Sequence, residues 1–175
     1  INYRHKKPAE KTITVNKTID KDGLKIVAVS DLHIGYGIGN GELSRWVDMI
    51  NDQKPDVVVI AGDIIDNSIK PLTSGGFAQT LQKIESRYGV YACMGNHEYI
   101  SGPDKSAHFL ESAGITLLRD SVVMIDSAFY IAGRDDMSNT HRKPLAQLTA
   151  GLDQSKPVIL LDHQPHNLSE AAQAG

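Results

Sequence analysis

Four short stretches of this sequence carry side chains that can hold a divalent cation or move a proton: Asp31-Leu32-His33, Gly62-Asp63-Ile64-Ile65-Asp66, Gly95-Asn96-His97-Glu98 and Asp162-His163. Asp31 and His33 are two residues apart, so on an extended backbone they project to the same side and can grip one cation. Asp63 follows an apolar run, and its carboxylate has two oxygens, enough to bridge two metals about 3.5–4 Å apart. Gly62 before it permits close backbone approach to a ligand. Asn96 offers a neutral carbonyl ligand that adds no charge, which leaves His97 free to face a substrate. His163 supplies a further imidazole nitrogen. Asp66 is placed either to orient one of these histidines or to act as a turn or helix-capping residue.

Strand C-termini of an α/β sheet converge on one edge, where ligands bind. Each cluster follows a strand-like run. Lys11–Asn16 alternates as an edge strand would, and Asp20-Lys21-Asp22-Gly23 reads as a turn. Leu24–Ser30 reads as a strand buried on both faces. Leu43, Trp46, Val47 and Ile50 form one face of a helix stopped by Pro55, before the strand Val57–Ala61. Phe77, Leu81 and Ile84 mark a second helix, and Val90–Met94 the next strand. Pro103 and Gly114 bracket a third helix. Val122–Ile125 and Phe129–Ala132 suit a hairpin joined by Asp126-Ser127-Ala128. Leu145, Leu148 and Leu152 then mark a fourth helix, Pro157–Leu161 a strand, and Leu168–Ala174 a final helix. Alternating strands and helices define an α/β class. The organisation is an N-terminal tail and edge strand over 1–23, followed by one domain over 24–175.

The chain has 175 residues, 41% hydrophobic and 22% charged, with a net charge of −3. That length can bury a substantial core, and that charge gives no strong nucleic-acid signature. The lone Cys93 excludes a disulfide framework and a cysteine zinc knuckle; within an apolar strand it is a structural thiol. No apolar run reaches the roughly 18 residues of a membrane span, and no signal peptide is evident. The basic run Arg4, His5, Lys6, Lys7 is either a solvated tail or a juxtamembrane segment. Because the sequence begins at Ile1, an excised piece with a membrane tether upstream of residue 1 is expected, the alternative being a cytoplasmic protein. No phosphate-binding glycine loop or Gly-x-Ser-x-Gly elbow occurs.

Together the clusters resemble the calcineurin-like metallophosphoesterase family, whose motif series is Asp-x-His, Gly-Asp-x-x-Asp, Gly-Asn-His-Asp/Glu, a later His and Gly-His-x-His. The first three are present in order, and Leu161-Asp162-His163-Gln164-Pro165 matches the fourth. The resemblance implies an αββα sandwich of two mostly mixed sheets flanked by helices, with its last part missing. It implies that Asp31 and His33 hold one metal, that Asp63 bridges, and that Asn96 and His163 hold the second. By the same mapping His97 is the catalytic histidine, a general acid, paired with Asp66. The implied function is phosphoester hydrolysis of phosphodiesterase or pyrophosphatase type by a bimetal-activated water, with two divalent ions (Mn, Fe or Zn) and a lipid-linked or nucleotide-linked substrate.

Gly133-Arg134-Asp135-Asp136 is similar to a segment of a bacterial branch often called the YkuE/YaeI-like phosphodiesterases, some of them membrane-associated; the alternative is a charged turn after a strand. No Gly-His-x-His occurs before Gly175, and His166 lies too close to His163 to replace it. The sequence as it stands is therefore expected to hold fewer than two metals and to be inactive. The competing function is a non-catalytic phosphoesterase-fold module that binds proteins.

Overall fold

The computed structural model describes residues 6–17, 19 and 23–174. Strands β1 (Ile26–Val29), β2 (Val57–Ala61), β3 (Val90–Cys93) and β4 (Thr116–Leu117) form a parallel sheet in that order. Helices α1 (Asn40–Asp52), α2 (Phe77–Leu81), α3 (Asn96–Ile100) and α4 (Pro103–Ser112) lie between these strands in sequence. In the second sheet β5 (Ser121–Ile125) pairs antiparallel with β6 (Phe129–Gly133), and β6 pairs parallel with β7 (Val158–Leu161). Helix α5 (Leu145–Leu148) precedes β7, and α6 (Leu168–Gln173) follows it.

The period-2 alternation of the central strands sorts their side chains into two cores. Val58 and Ile60 of β2 and Ala92 of β3 pack under α1, α2 and α4, against Leu43, Trp46, Leu81 and Leu110. Their neighbours Val57, Val59, Tyr91 and Cys93 face the other way and meet Ile125, Phe129, Ile131 and Leu161 of the second sheet. Ala132, on the far side of β6, packs with Leu145 and Leu148 of α5. The layers are therefore helix, sheet, sheet, helix. Each large apolar side chain fully buried this way contributes about 1.5–3 kcal/mol.

Several expectations need correction. Among the described residues Lys11–Asn16 forms no strand and joins neither sheet, and Ile13 is 75% exposed. Alternation alone does not make a strand without a partner strand to pair its backbone groups. Strand β1 is an edge strand with alternating exposure, not one buried on both faces. The first sheet is wholly parallel, so only the second is mixed. Helix α5 stops at Leu148, short of Leu152, at a turn through Gly151 with φ of 81°. Arg4, His5 and residues 20–22 lie outside the described residues. Lys6 sits 4.6 Å from the Trp46 ring centre, a cation–π contact. Among the described residues no helix is long and apolar enough to cross a membrane.

Candidate metal centre

Parallel pairing of β1, β2 and β3 delivers the segments after Val29, Ala61 and Cys93 to one edge. The loop after β1 is fastened to the loop after β2. The backbone N–H of Asp31 donates to Gly62 O at 3.2 Å, that of His33 to Asp63 O at 3.0 Å, and that of Ile34 to Ile64 O at 2.8 Å. Ile34, Ile64 and Ile65 are wholly buried beneath this seam. Asp31, His33 and Asp63 all adopt left-handed backbone, with φ of 54°, 46° and 51°. Such conformations cost of order 1–3 kcal/mol each and concentrate at functional sites. Asp31 and His33 thus converge through a curled loop, not along the extended strand their spacing suggests.

The buried carboxylate of Asp63 is the hub. Its Oδ2 lies 3.2 Å from His163 Nε2, 3.8 Å from His33 Nε2 and 4.0 Å from His97 Nε2. Its Oδ1 accepts the His97 backbone N–H at 2.9 Å. Burial acts to raise the Asp63 carboxyl, but the His163 hydrogen bond, the His97 N–H and the charge of both rings outweigh it and hold it below the usual range. His163 Nδ1 donates to Ala61 O at 2.7 Å, which turns Nε2 towards Asp63. The Asp63 hydrogen bond, against the opposing effect of burial, raises His163 to about 9. Asn96 Oδ1 lies 3.3 Å from His163 Nε2 and accepts Gln164 Nε2 at 2.9 Å.

Two triplets of ligand atoms, each within 4.8 Å, emerge: Asp31, Asp63 and His163, and His33, Asp66 and His97. His33 Nε2 also lies 3.8 Å from Asp31 Oδ1, and the His33 and His97 rings meet edge to face at 4.5 Å. His97 Nδ1 is buried without a hydrogen-bond partner among the described residues, 3.7 Å from Asp66 Oδ1. Carboxylate, imidazole and amide donors crowded at these distances fit hard or borderline divalent ions such as Mn, Fe or Zn. All seven residues singled out from the sequence, Asp31, His33, Asp63, Asp66, Asn96, His97 and His163, meet here. The triplets differ from the pairing the resemblance implies, since Asp66 and His97 group with His33.

One residue of the third cluster does work that its type alone did not suggest. Glu98 is wholly buried, and its carboxylate accepts backbone N–H groups from Asp63 at 2.9 Å, Ile65 at 2.8 Å and Gly95 at 2.8 Å. Burial pushes its carboxyl up against the pull of these donors, and the charge of Asp63 adds to the rise. The signal was present in the spacing Gly95-x-x-Glu98, half of a capping box at the start of α3. Two glycines make room for the rest. A Cβ on Gly62 would stand 2.8 Å from the His163 ring, and one on Gly95 would collide with the Asp63 carboxylate. Cys93 is buried, and burial together with the charges of Asp162 and Glu98 pushes its thiol to about 12, so it is no nucleophile.

Residues 24–174 match the family model described as calcineurin-like phosphoesterase. A "Transmembrane protein with metallophosphoesterase domain" of Danio rerio is 34% identical over 166 residues, covering 87% of this chain and 37% of its own. An "Uncharacterized metallophosphoesterase" of Campylobacter jejuni is 34% identical over 94% of this chain and 45% of its own. One from Aquifex aeolicus is 32% identical over 91% and 62% respectively. The chain thus spans roughly a third to three-fifths of the length of these curated relatives. The solved NAD nucleotidase of Haemophilus influenzae shares the fold, with a TM-score of 0.51 at 18% identity over 86% of this chain and 35% of that one. By its motifs, its fold and this match, the chain belongs to the calcineurin-like phosphoesterase family.

Proposed function

We propose that this domain hydrolyses phosphoester bonds, of the phosphodiester or pyrophosphate type, at a pair of divalent metal ions. The observation that carries this is the Asp63 carboxylate with three imidazole Nε2 atoms within 4.0 Å of one oxygen. Asp31 and His33 would hold one ion, Asn96 and His163 the other, and Asp63 would serve both. When bound, such ions activate water and neutralise charge on the phosphoryl oxygens.

The protein's own part is orientation and proton handling. Ala61 O fixes the His163 tautomer, and Gln164 fixes the Asn96 amide. Asp66, itself held by Asn67 Nδ2 at 2.9 Å, lies 3.7 Å from His97 Nδ1, unpartnered among the described residues, and near enough to orient that ring once the two close to hydrogen-bond distance. From there His97 gives its proton to the leaving oxygen as a general acid. The transmembrane name of the Danio rerio relative supports a membrane-associated role; a lipid-linked or nucleotide-linked phosphoester is the substrate class proposed with it. The test is hydrolysis of bis-p-nitrophenyl phosphate, with added Mn2+, by the full-length protein that contains this domain. Turnover is expected, and none with any divalent metal would contradict the proposal.

A further inference from the structure

A cavity of about 340 Å³ opens beside the ends of β6 and β7, walled by Arg134, Arg142, Asn139, Gln164, His166 and Glu170. Its volume is within the range of small-molecule sites. It adjoins the metal centre, because the Gln164 amide in its wall donates to Asn96 Oδ1 at 2.9 Å. The two guanidinium groups flank Asp162: Arg134 Nη1 lies 3.2 Å from its Oδ2, and Arg142 Nη2 lies 2.6 Å from its Oδ1. Arg134 Nη1 also reaches Glu170 Oε2 at 3.3 Å. Both side chains are nearly buried, at 13% and 10% exposure. Arg134 Nε and Arg142 Nε are buried with no hydrogen-bond partner among the described residues, and Arg142 Nη2, though ion-paired with Asp162, makes no well-directed hydrogen bond either. The carboxylates therefore engage one end of each fork, and a planar five-donor guanidinium is suited to take a further oxyanion.

We propose that this cavity seats a second anionic group of the substrate, beyond the scissile phosphate, with Arg134 and Arg142 as its specificity-determining residues. This rests on the phosphoester reading above. Asp162 ties both arginines to the residue before His163, so the anion is recognised at a fixed distance from the metal ligands. Glu170 is the one carboxylate of the wall, and it narrows the choice of anion by position, since its other oxygen accepts the Leu145 N–H at 3.1 Å.

The test uses three p-nitrophenyl phosphodiesters that differ only at the end of the second alcohol: hydroxyl, carboxylate or phosphate. With Mn2+ the protein should prefer an anionic end over the hydroxyl by about tenfold or more in kcat/KM, the worth of one charge-assisted hydrogen bond. The better of the two anions identifies the group. R142Q should bring the ratio close to one. H166E, at an exposed rim position, should lower it in the same direction and serves if R142Q does not fold. Equal turnover of all three diesters, or a preference that survives both substitutions, would overturn the cavity assignment alone. No turnover of any of them would overturn the phosphoester reading with it.

Discussion

The wholly buried Glu98 accepts the backbone N–H of Asp63 at 2.9 Å, so the carboxylate at the hub of the site is held in place by a second carboxylate beneath it. The same side chain holds Ile65 and Gly95, and thereby joins the loops after β2 and β3. Removing it in Glu98→Ala leaves three buried N–H groups without acceptors. At about 1–3 kcal/mol for each such group, the metal-free protein should lose at least about 3 kcal/mol in urea unfolding. A loss below about 1 kcal/mol would show that these loops are held by other means.

Gly62 has φ of 78°, and a Cβ there would press on the His163 ring at 2.8 Å. Gly62→Ala should therefore weaken Mn2+ binding by about tenfold or more, since the ring must move off its position between Ala61 O and Asp63. Calorimetric titration checks this, and unchanged affinity would mean that the ring is not a ligand.

Because the Asp63 hydrogen bond raises His163 to about 9, its ring is protonated at neutral pH in the metal-free protein. A metal must displace that proton, so affinity should rise with pH, by up to about tenfold per unit, and level off near pH 9. The stability that the protonated ring lends the metal-free protein has the opposite trend. It is full below the ordinary histidine value and is lost as pH rises through about 9. A pH-independent affinity between pH 6.5 and 9 would contradict this protonation state.

His97→Ala separates acid from ligand. As a general acid, His97 should cost about 10²–10⁴-fold in turnover when removed, while metal content holds. Its place in the triplet with His33 and Asp66 makes the other outcome concrete: equal loss of metal and activity.

Much of the site was legible because ligand chemistry is local in sequence and strand ends converge. Asp63 after Ala61, Asn96 and His97 after Cys93, and His163 after Leu161 all follow from that rule. The left-handed turns at Asp31 and His33 were not legible, since they depend on backbone bonds to Gly62 and Asp63 in a loop some thirty residues away. Nor was the fate of Asp135. It proves to be a buried anchor, accepting Tyr99 Oη at 2.9 Å, Arg119 Nε at 3.2 Å and Asn139 Nδ2 at 3.0 Å. Through Tyr99 this holds the end of α3 against the second sheet. Lys11–Asn16 misled because its alternation matches a strand while no strand of either sheet pairs with it among the described residues.

The central claim is that Asp63 serves the metal ions and thereby the chemistry. Metal content and bis-p-nitrophenyl phosphate turnover, measured on the same Mn2+-loaded samples of the unaltered full-length protein and its Asp63→Asn variant, test it most directly. Both quantities should fall together in the variant, turnover by about 10²-fold or more, as expected when a metal ligand is lost. A variant that keeps its metal and its turnover would contradict the claim.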